Sequence, residues 1–280
     1  AARDPITTGW SQMDEICKGG LGNSELGVVV APTGAGKSMV LVHLATQALL
    51  LGKTVVYYTL ELKDTTVGQR FDCCLTKTHL GEHKQKKEEI LKKIEDIDGT
   101  LIIKEYPTKS ASVQTIKNHI EKLRKRGINP DIILLDYADL LRPVRSSSEK
   151  RHELEETYEG LRGLAQSYDI PCWTASQTNR GGLNAEVITM EAISEAFNKC
   201  FVADFIFSLS RTTLDKQSNK GRVFIAKNRN GPDGIVFDAH VDWSDVTINI
   251  LDRNESVEKM QTTTEARKIL KEKYEQLQRK

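Results

Sequence analysis

The 280-residue sequence predicts an α/β fold in which helices cover both faces of a mainly parallel sheet. Apolar runs of strand length alternate with helical segments, as in folds built from strand–helix–strand units. Most of these runs are continuously apolar, which is typical of strands buried on both faces. The last three runs have hairpin-like spacing and predict an antiparallel edge. We expect one domain over residues 1–253, followed by a charged C-terminal helix or tail over 254–280.

The predicted strands are apolar runs bounded by turn residues, at 28–30, 54–60, 100–104, 132–135, 170–175, 203–210, 222–226 and 235–241. Helical periodicity predicts a short segment around Trp10, a helix after residue 36, and helices at 65–80, 90–97, 113–126 and about 149–168. The residues at 82–89 are highly charged and predict a solvated stretch. The tail has an apolar stripe at helical spacing, typical of a docked or frayed helix or of one that packs on a neighbouring subunit.

Composition is that of an ordinary globular protein, with 39% hydrophobic and 28% charged residues. No apolar run reaches the roughly 18 residues that a membrane helix needs, and no signal-peptide pattern is present. The five cysteines have no C-x-x-C spacing, which predicts reduced thiols in a cytoplasmic protein without a membrane partner. The formal net charge is +1, so any nucleic-acid contact must come from local clusters or an assembled surface.

The most specific motif is a phosphate-binding loop, APTGAGKS at 31–38, between a strand and a helix. Gly34 and Gly36 let backbone N–H groups turn inward around phosphate oxygens, and the helix that follows directs its positive dipole end there. Lys37 is placed to reach the β- and γ-phosphates, and the Ser38 hydroxyl suits Mg²⁺. Ala31 replaces the first glycine of the motif. The predicted nucleotide-binding residues are Thr33, Gly34, Ala35, Gly36, Lys37, Ser38 and Met39.

Two acidic residues at strand ends are candidates to complete this site. Asp136 ends the run IILLD, where a carboxylate can orient a Mg²⁺-bound water, and Asp139 is the competing carboxylate just beyond the strand. Glu61 ends the run TVVYYTL, where a carboxylate can polarise an attacking water as general base. A helix-capping or solvent-facing role for Glu61 is the alternative.

Three further polar residues also follow strands. Gln177 comes after PCWTAS, where an amide can bond the γ-phosphate, although an ordinary polar turn residue would look the same. Lys227 and Arg229 are two residues apart after VFIA, so an extended chain places both on one face. They are candidates for an arginine finger offered to an adjacent subunit, and a solvated strand edge is the alternative.

Together these motifs resemble the DnaB-type hexameric replicative helicases, which have a RecA-like ATPase core. The resemblance runs from about Thr7 to Asp242, and S-Q-x-N-R and K-x-R-N-G are its most discriminating pairings. Its five blocks are ITTGWSQMDEICKGGLGNSELGVVVAPTGAGKS, VVYYTLEL, DIILLDYADLL, IPCWTASQTNR and FIAKNRNGPDG. The segment KEYPTKSAS looks closer to phage-encoded members, for which the compartment would be the host cytoplasm.

The resemblance implies that Lys37, Ser38 and Asp136 hold MgATP, that Glu61 activates water and that Gln177 senses the γ-phosphate. It also implies a homo-hexameric ring that moves 5′ to 3′ on single-stranded DNA and unwinds duplex, with Lys227 and Arg229 reaching the neighbouring protomer's ATP. A primase and a helicase loader are the implied partners. Members usually carry an N-terminal domain that docks primase, and no segment here corresponds to it, so we expect a fragment or a reduced form.

The resemblance implies two DNA-binding loops, one at 142–151 and one after Gln177. The first has four cations against one anion, Glu149, for a local charge of +3, and a ring would bring six copies into one channel. The candidate DNA-binding residues are Arg142, Arg145, Lys150, Arg151, Arg180 and Gly181. The loops lack aromatic residues, which favours backbone contact without base stacking.

Two other functions stay open on the sequence. A RecA-like recombinase would form helical filaments on DNA, and a regulatory ATP-binding scaffold would hydrolyse ATP at a rate that DNA does not change.

Overall fold

The computed structural model describes residues 2–178 and 190–259. Within these ranges nine strands form one sheet in the order β3-β2-β4-β5-β1-β6-β7-β8-β9. The strands are β1 Leu26–Ala31, β2 Thr54–Thr59, β3 Thr100–Glu105, β4 Ile132–Asp136, β5 Cys172–Gln177, β6 Phe205–Ser210, β7 Lys220–Asn228, β8 Val236–Asp242 and β9 Thr247–Arg253. The helices are α1 Ser11–Ile16, α2 Lys37–Leu50, α3 Asp64–Thr76, α4 Lys87–Ile94, α5 Val113–Lys125, α6 Lys150–Tyr168, α7 Met190–Lys199 and α8 Thr213–Gln217.

The sheet is parallel from β3 to β6 and antiparallel from β6 to β9, which confirms the predicted architecture. The strand β9 was not predicted from the sequence, although its alternating pattern is visible there. Ile248 and Ile250 are buried while the residues between and after them are mostly exposed. This alternation is that of an edge strand with one face on the core.

The parallel strands are apolar on both faces because helices cover both. Along β1, Val29 packs into one core cluster, whereas Val28 and Val30 pack into the other. The helices α2 and α3 contribute to the first cluster, and α5, α6 and α7 contribute to the second. Successive side chains of a strand point to opposite faces, so two helical layers are needed to bury such a run.

The helices differ from prediction in four places. The helix predicted at 65–80 ends at Thr76 because Lys77 adopts a left-handed conformation, with φ of 56°, and a 3₁₀ turn Leu80–Glu82 follows. The helix α4 begins at Lys87, inside the charged stretch expected to be solvated, and it buries only Ile90. Neither α7 nor α8 was predicted from the sequence.

The segment around Trp10 joins the first part of the chain to the last strand. The Trp10 indole donates to the Ile248 carbonyl at 2.8 Å. Its ring also stacks on His43 of α2, with centroids 4.5 Å apart and planes 6° apart. The last strand, β9, is therefore held by two neighbours: it pairs with β8 in the sheet and accepts a hydrogen bond from the Trp10 indole.

Two expectations from composition concern the interior and the membrane. All five cysteines are buried free thiols, and burial raises the pKa of each of them. Among the helices of residues 2–178 and 190–259, none has the length and apolarity that a bilayer crossing requires.

Candidate functional site

Four adjacent strands deliver the predicted nucleotide-site residues to one edge of the sheet. Glu61 lies just beyond β2, Asp136 ends β4, Gln177 ends β5, and the phosphate loop follows β1. These strands are neighbours in the order β2-β4-β5-β1 and run in the same direction. Ligand sites of open parallel sheets form at the carboxyl ends of the strands, where these groups meet.

The phosphate loop surrounds a pocket of about 290 Å³. Gly34 and Gly36 have φ of 78° and 107°, the left-handed backbone that lets their amides turn inward. The helix α2 starts immediately afterwards, at Lys37, and directs its N-terminal amides at the same space. The lining residues are Gly34, Gly36, Lys37, Ser38, Met39, Glu61, Leu62, Arg70 and Trp243.

Lys37 and Glu61 face each other in this pocket. The Lys37 ammonium lies 3.7 Å from Glu61 Oε2, and it also lies 4.4 Å from the centre of the Tyr137 ring. The two side chains differ in exposure, 8% for Lys37 and 46% for Glu61. The Lys37 ammonium is therefore held in the pocket wall, whereas the Glu61 carboxylate is accessible to solvent.

Asp136 is completely buried, and it interacts with Ser38 and Lys37 of the pocket wall. Its Oδ2 accepts a hydrogen bond from the Tyr57 hydroxyl at 3.4 Å, and its Oδ1 has no partner among the described residues. Burial raises the pKa of the Asp136 carboxyl, which the Ser38 hydroxyl and the Lys37 ammonium counteract. A buried carboxylate oxygen without a partner, near a serine hydroxyl, is the hard oxygen donor set that suits Mg²⁺. These residues fit the metal.

Asp139, the competing carboxylate, belongs to a different part of the molecule. Its Oδ2 accepts from the Lys199 ammonium at 2.6 Å, and its Oδ1 accepts from the Tyr158 hydroxyl at 2.9 Å. Both oxygens are therefore engaged by α7 and α6, and Asp139 does not line the pocket. Asp136, unlike Asp139, has a buried carboxylate oxygen without a partner among the described residues, so Asp136 stays the predicted metal ligand.

Gln177 touches the phosphate loop directly. Its side-chain amide donates to the Thr33 hydroxyl at 2.7 Å, and its backbone pairs with Ala31 across β1 and β5. The Gln177 amide therefore lies against the phosphate loop, and Gln177 is not a turn residue without contact to that loop. Any displacement of the end of β5 therefore reaches Thr33 through one hydrogen bond.

The pocket also contains Arg70 and Trp243, which sequence reasoning missed. Arg70 comes from α3 and adds a second cation beside Lys37. Trp243 follows β8, and its indole donates to the Ala35 carbonyl at 3.1 Å. The available signal for Arg70 was a cation on the helix directly after Glu61. Trp243 had no comparable signal, because its position depends on the strand order.

Lys227 and Arg229 lie at the amino-terminal ends of the parallel strands, whereas the phosphate loop lies at their carboxyl ends. The end of β7 pairs with the start of β6, Asn228 with Phe205, whereas the loop is at the carboxyl end of β1. The six-residue strand β6 spans the distance between these two ends of the sheet, which is about 20 Å. Neither cation can therefore reach the pocket of its own chain.

Both cations are held by contacts near the start of β6. The Lys227 ammonium donates to the Phe201 carbonyl and lies 4.1 Å from the centre of the Phe201 ring. Arg229 donates to the Val202 carbonyl at 3.3 Å, and its Nε lies 3.5 Å from Asp204 Oδ1. Its side chain is still 45% exposed, so the guanidinium remains accessible at the surface.

The loop at 142–151 is a cationic surface segment after β4. Arg142, Arg145, Lys150 and Arg151 are all exposed. The helix α6 begins at Lys150, and Arg151 pairs with Glu155 at 2.9 Å. Arg180 and Gly181, the candidates of the second loop, lie outside the described residues, as does the tail beyond residue 259.

Comparison with known proteins identifies relatives of this chain. The family model described as "DnaB-like helicase C terminal domain" matches residues 5–241. A DnaB-like replicative helicase of Enterobacteria phage T4 is 29% identical over 214 residues, which are 71% of this chain and 45% of the relative. The replicative DNA helicase DnaB of Buchnera aphidicola subsp. Acyrthosiphon pisum is 24% identical over 261 residues, 85% of this chain and 55% of the relative. The chain thus spans about half the length of these relatives.

Two solved structures share the fold. One is described as an ATPase domain and superposes with a TM-score of 0.75 at 17% identity, covering 89% of this chain and 92% of that one. A DnaB-like replicative helicase, described with its interactions with primase, superposes with a TM-score of 0.73 at 17% identity. It covers 89% of this chain and 62% of the other.

Proposed function

Because the chain belongs to the family of DnaB-like helicase C-terminal domains, we propose that it is the ATP-hydrolysing motor of a replicative DNA helicase. One observation carries this proposal. Four neighbouring parallel strands bring a phosphate loop, Glu61, Asp136 and Gln177 to the same end of the sheet. The parts needed for phosphoryl transfer to water are a phosphate cradle, a metal ligand, a base and a γ-phosphate contact, and this arrangement supplies all four.

These residues would divide the chemistry between them. The loop amides and Lys37 would bind the β- and γ-phosphates, and Ser38 and Asp136 would hold the Mg²⁺ that neutralises phosphate charge. A triphosphate competes with Glu61 for the Lys37 ammonium, since both are anionic partners at the same cation. Glu61 is then free to take the proton of the attacking water. Gln177, already bonded to Thr33, would contact the γ-phosphate and respond to its loss.

The second half of the active site would come from a neighbouring subunit. Lys227 and Arg229 lie about 20 Å from the loop of their own chain, at an edge where a second protomer can approach. We assign them to the ATP of that neighbour, where an arginine finger contributes roughly 10³- to 10⁵-fold in rate. This arrangement requires a closed or helical assembly, and we propose a homo-hexameric ring.

The ring would carry single-stranded DNA in its centre and move 5′ to 3′ along it. The exposed cations of the 142–151 loop would contact the backbone phosphates, with Arg180 and Gly181 from the second loop. Residues 1–253 form the motor in this proposal, and 254–280 form a charged helix or tail. Glu258, near the start of that tail, accepts from the Val236 amide at 3.0 Å.

The proposed partners and compartment follow from the relatives. One structural neighbour is described together with its interactions with primase, and we extend a primase and a loader to this chain. A replicative helicase works where the chromosome or phage genome is copied. We therefore propose the cytoplasm, or the host cytoplasm for a phage-encoded protein.

The test is ATP hydrolysis with and without single-stranded DNA, together with unwinding of a duplex that has a 5′ or a 3′ tail. DNA should stimulate hydrolysis, only the 5′-tailed duplex should be unwound, and Lys37→Ala should remove both activities. Lys125→Ala, at the exposed end of α5, is the matched control for loss of one lysine.

Two results would replace the proposal with another function. A rate of ATP hydrolysis that DNA does not change would favour the regulatory scaffold. Helical filaments on DNA in electron micrographs would favour the recombinase.

A further inference from the structure

A polar network outside the nucleotide pocket joins the ends of β4 and β5. Lys199, the last residue of α7, donates to Asp139 Oδ2 at 2.6 Å and to the Gln177 carbonyl at 3.3 Å. The Tyr158 hydroxyl of α6 lies 2.9 Å from Asp139 Oδ1 and 3.2 Å from the Ala175 carbonyl, and it can donate to either. Lys199 and Tyr158 thus each connect Asp139 to the strand that carries Gln177.

The Lys199–Asp139 pair is largely shielded from water, with 12% and 15% of the side chains exposed. Charge-assisted hydrogen bonds in such surroundings are strong and depend closely on geometry. The pair connects two points that matter to the proposed function. Asp139 is three residues before Arg142 of the cationic loop, and Gln177 bonds the phosphate loop through Thr33 at 2.7 Å.

A pocket of about 180 Å³ opens beside this network. Lys150 and Arg151, from the start of α6, line it together with Leu154, Asn198 and Lys199. Lys199, whose ammonium holds Asp139 and the Gln177 carbonyl, therefore borders the same space as two cations of the 142–151 loop. An anion bound there meets three positive side chains, one of which is already shared with the end of β5.

We propose that Lys199 is a positioning residue through which DNA and nucleotide influence each other's binding. A backbone phosphate that Lys150 and Arg151 attract competes with Asp139 and the Gln177 carbonyl for the Lys199 ammonium. A shift of Lys199 moves the end of β5, and with it the amide that contacts Thr33. The inference rests on the proposed function, because it requires the 142–151 loop to meet DNA.

Thermodynamic reciprocity supplies a test that does not need hydrolysis. If DNA changes nucleotide affinity through Lys199, then nucleotide must change DNA affinity by the same factor. The probe is a fluorescein-labelled oligothymidylate, and its dissociation constant is measured by anisotropy on the full chain. Measurements with and without the non-hydrolysable analogue AMP-PNP and Mg²⁺ give the coupling factor.

The variants separate coupling from folding. The double variant Lys199→Met/Asp139→Asn removes both charges together, so no unpaired carboxylate is left buried. Lys199→Arg keeps a cation that can hold Asp139. Lys125→Met, on the exposed end of α5, is the control for a lysine-to-methionine change. Thermal unfolding of each variant is recorded alongside.

We expect AMP-PNP to change the affinity of the wild-type protein for the oligonucleotide by about fivefold or more, a typical coupling between sites. The factor should fall below about twofold in the double variant and persist in Lys199→Arg and Lys125→Met. A double variant that is folded and coupled like the wild type would overturn the inference. A wild-type affinity for the oligonucleotide that AMP-PNP does not change would also overturn it. Failure of the proposed function looks different, since wild-type protein would then show no DNA-stimulated hydrolysis whatever its coupling.

Discussion

Gly36 is the residue of the nucleotide pocket with the least room for a side chain. Its φ of 107° is a conformation that other residues adopt only under strain. A Cβ at this position would also lie 2.4 Å from the ring of Trp243. Glycine is therefore required here for two independent reasons, the backbone angle and the neighbouring indole.

Gly36→Ala should consequently weaken ATP binding at least about fivefold, because the strain of roughly 1–3 kcal/mol displaces the loop or Trp243. Titration calorimetry with AMP-PNP measures the change. The matched control is Gly163→Ala in α6, where an added Cβ meets nothing within 4 Å. That change should leave nucleotide affinity unaltered and raise stability by about 0.5–1 kcal/mol. Equal affinity for nucleotide in Gly36→Ala and the wild type would contradict this role of Gly36.

His43 should make the fold sensitive to acid. Burial lowers the pKa of His43 to about 4 from an ordinary value of 6.5, and its Nε2 contacts the Thr8 carbonyl at 2.8 Å. The unfolded chain takes up a proton near pH 6.5 that the folded chain does not take up until about pH 4. The contribution to stability is therefore complete above pH 6.5 and falls by about 3 kcal/mol on acidification to pH 4.

Urea unfolding at several pH values tests this assignment. The free energy of unfolding of the wild type should drop between about pH 6.5 and 4.5, and His43→Phe should show a shallower drop because it cannot protonate. Phenylalanine keeps a ring against Trp10. Parallel profiles for the two proteins would show that the acid sensitivity comes from other groups.

At the scale of elements, the 142–151 loop should give DNA binding a steep salt dependence. Its cations are exposed and act through phosphates, so counterion release governs their contribution. In Arg145→Ala/Lys150→Ala, the slope of log affinity against log salt should decrease by about 1.4, or about 0.7 per lost phosphate contact. The control Lys117→Ala/Lys122→Ala removes the same charge from the exposed surface of α5. Equal slopes for both double variants would place the DNA elsewhere.

Much of the nucleotide site was predictable from sequence because each residue ends an apolar strand. The carboxyl ends of parallel strands lie at the same end of the sheet. The shared direction of the strands therefore predicts that Glu61, Asp136 and Gln177 lie at that end. Lys37 and Ser38 needed only the local loop pattern. The strand order then added the fact that these particular strands are neighbours.

Two of the missed residues, Trp243 and Lys199, have positions that depend on non-local pairing. Trp243 reaches the phosphate loop because β8 runs parallel to β1, three positions across the sheet. Lys199 meets Asp139 only after α7 has packed on α6, and α7 was not predicted. Neither contact follows from the spacing of residues along the chain. Sequence periodicity reports a helix or strand face, whereas these contacts depend on which elements become neighbours.

At the scale of the whole molecule, Lys37 and Arg229 should act in different subunits. Lys37→Ala and Arg229→Ala should each abolish ATP hydrolysis when tested alone, since every interface then lacks one half of the site. After mixing and subunit exchange, about a quarter of the interfaces pair an intact loop with an intact finger, so part of the activity should return.

Co-assembly of the two variants is the necessary control, and the mass of a mixed complex with one tagged variant establishes it. Co-assembled variants that recover no hydrolysis would show that Arg229 does not act across the interface. A variant Arg229→Ala that is fully active by itself would exclude the finger altogether.

The hydrogen bond from Trp10 to the Ile248 carbonyl has a consequence for biosynthesis. Its partners are 238 residues apart, so the ribosome must add β9 before the bond can form. At about 5–20 residues per second, that interval is about 12–50 s. During it the apolar faces of Trp10 and His43 are without their final covering strand. The nascent chain therefore passes through a long period in which chaperones can engage it before the native edge closes.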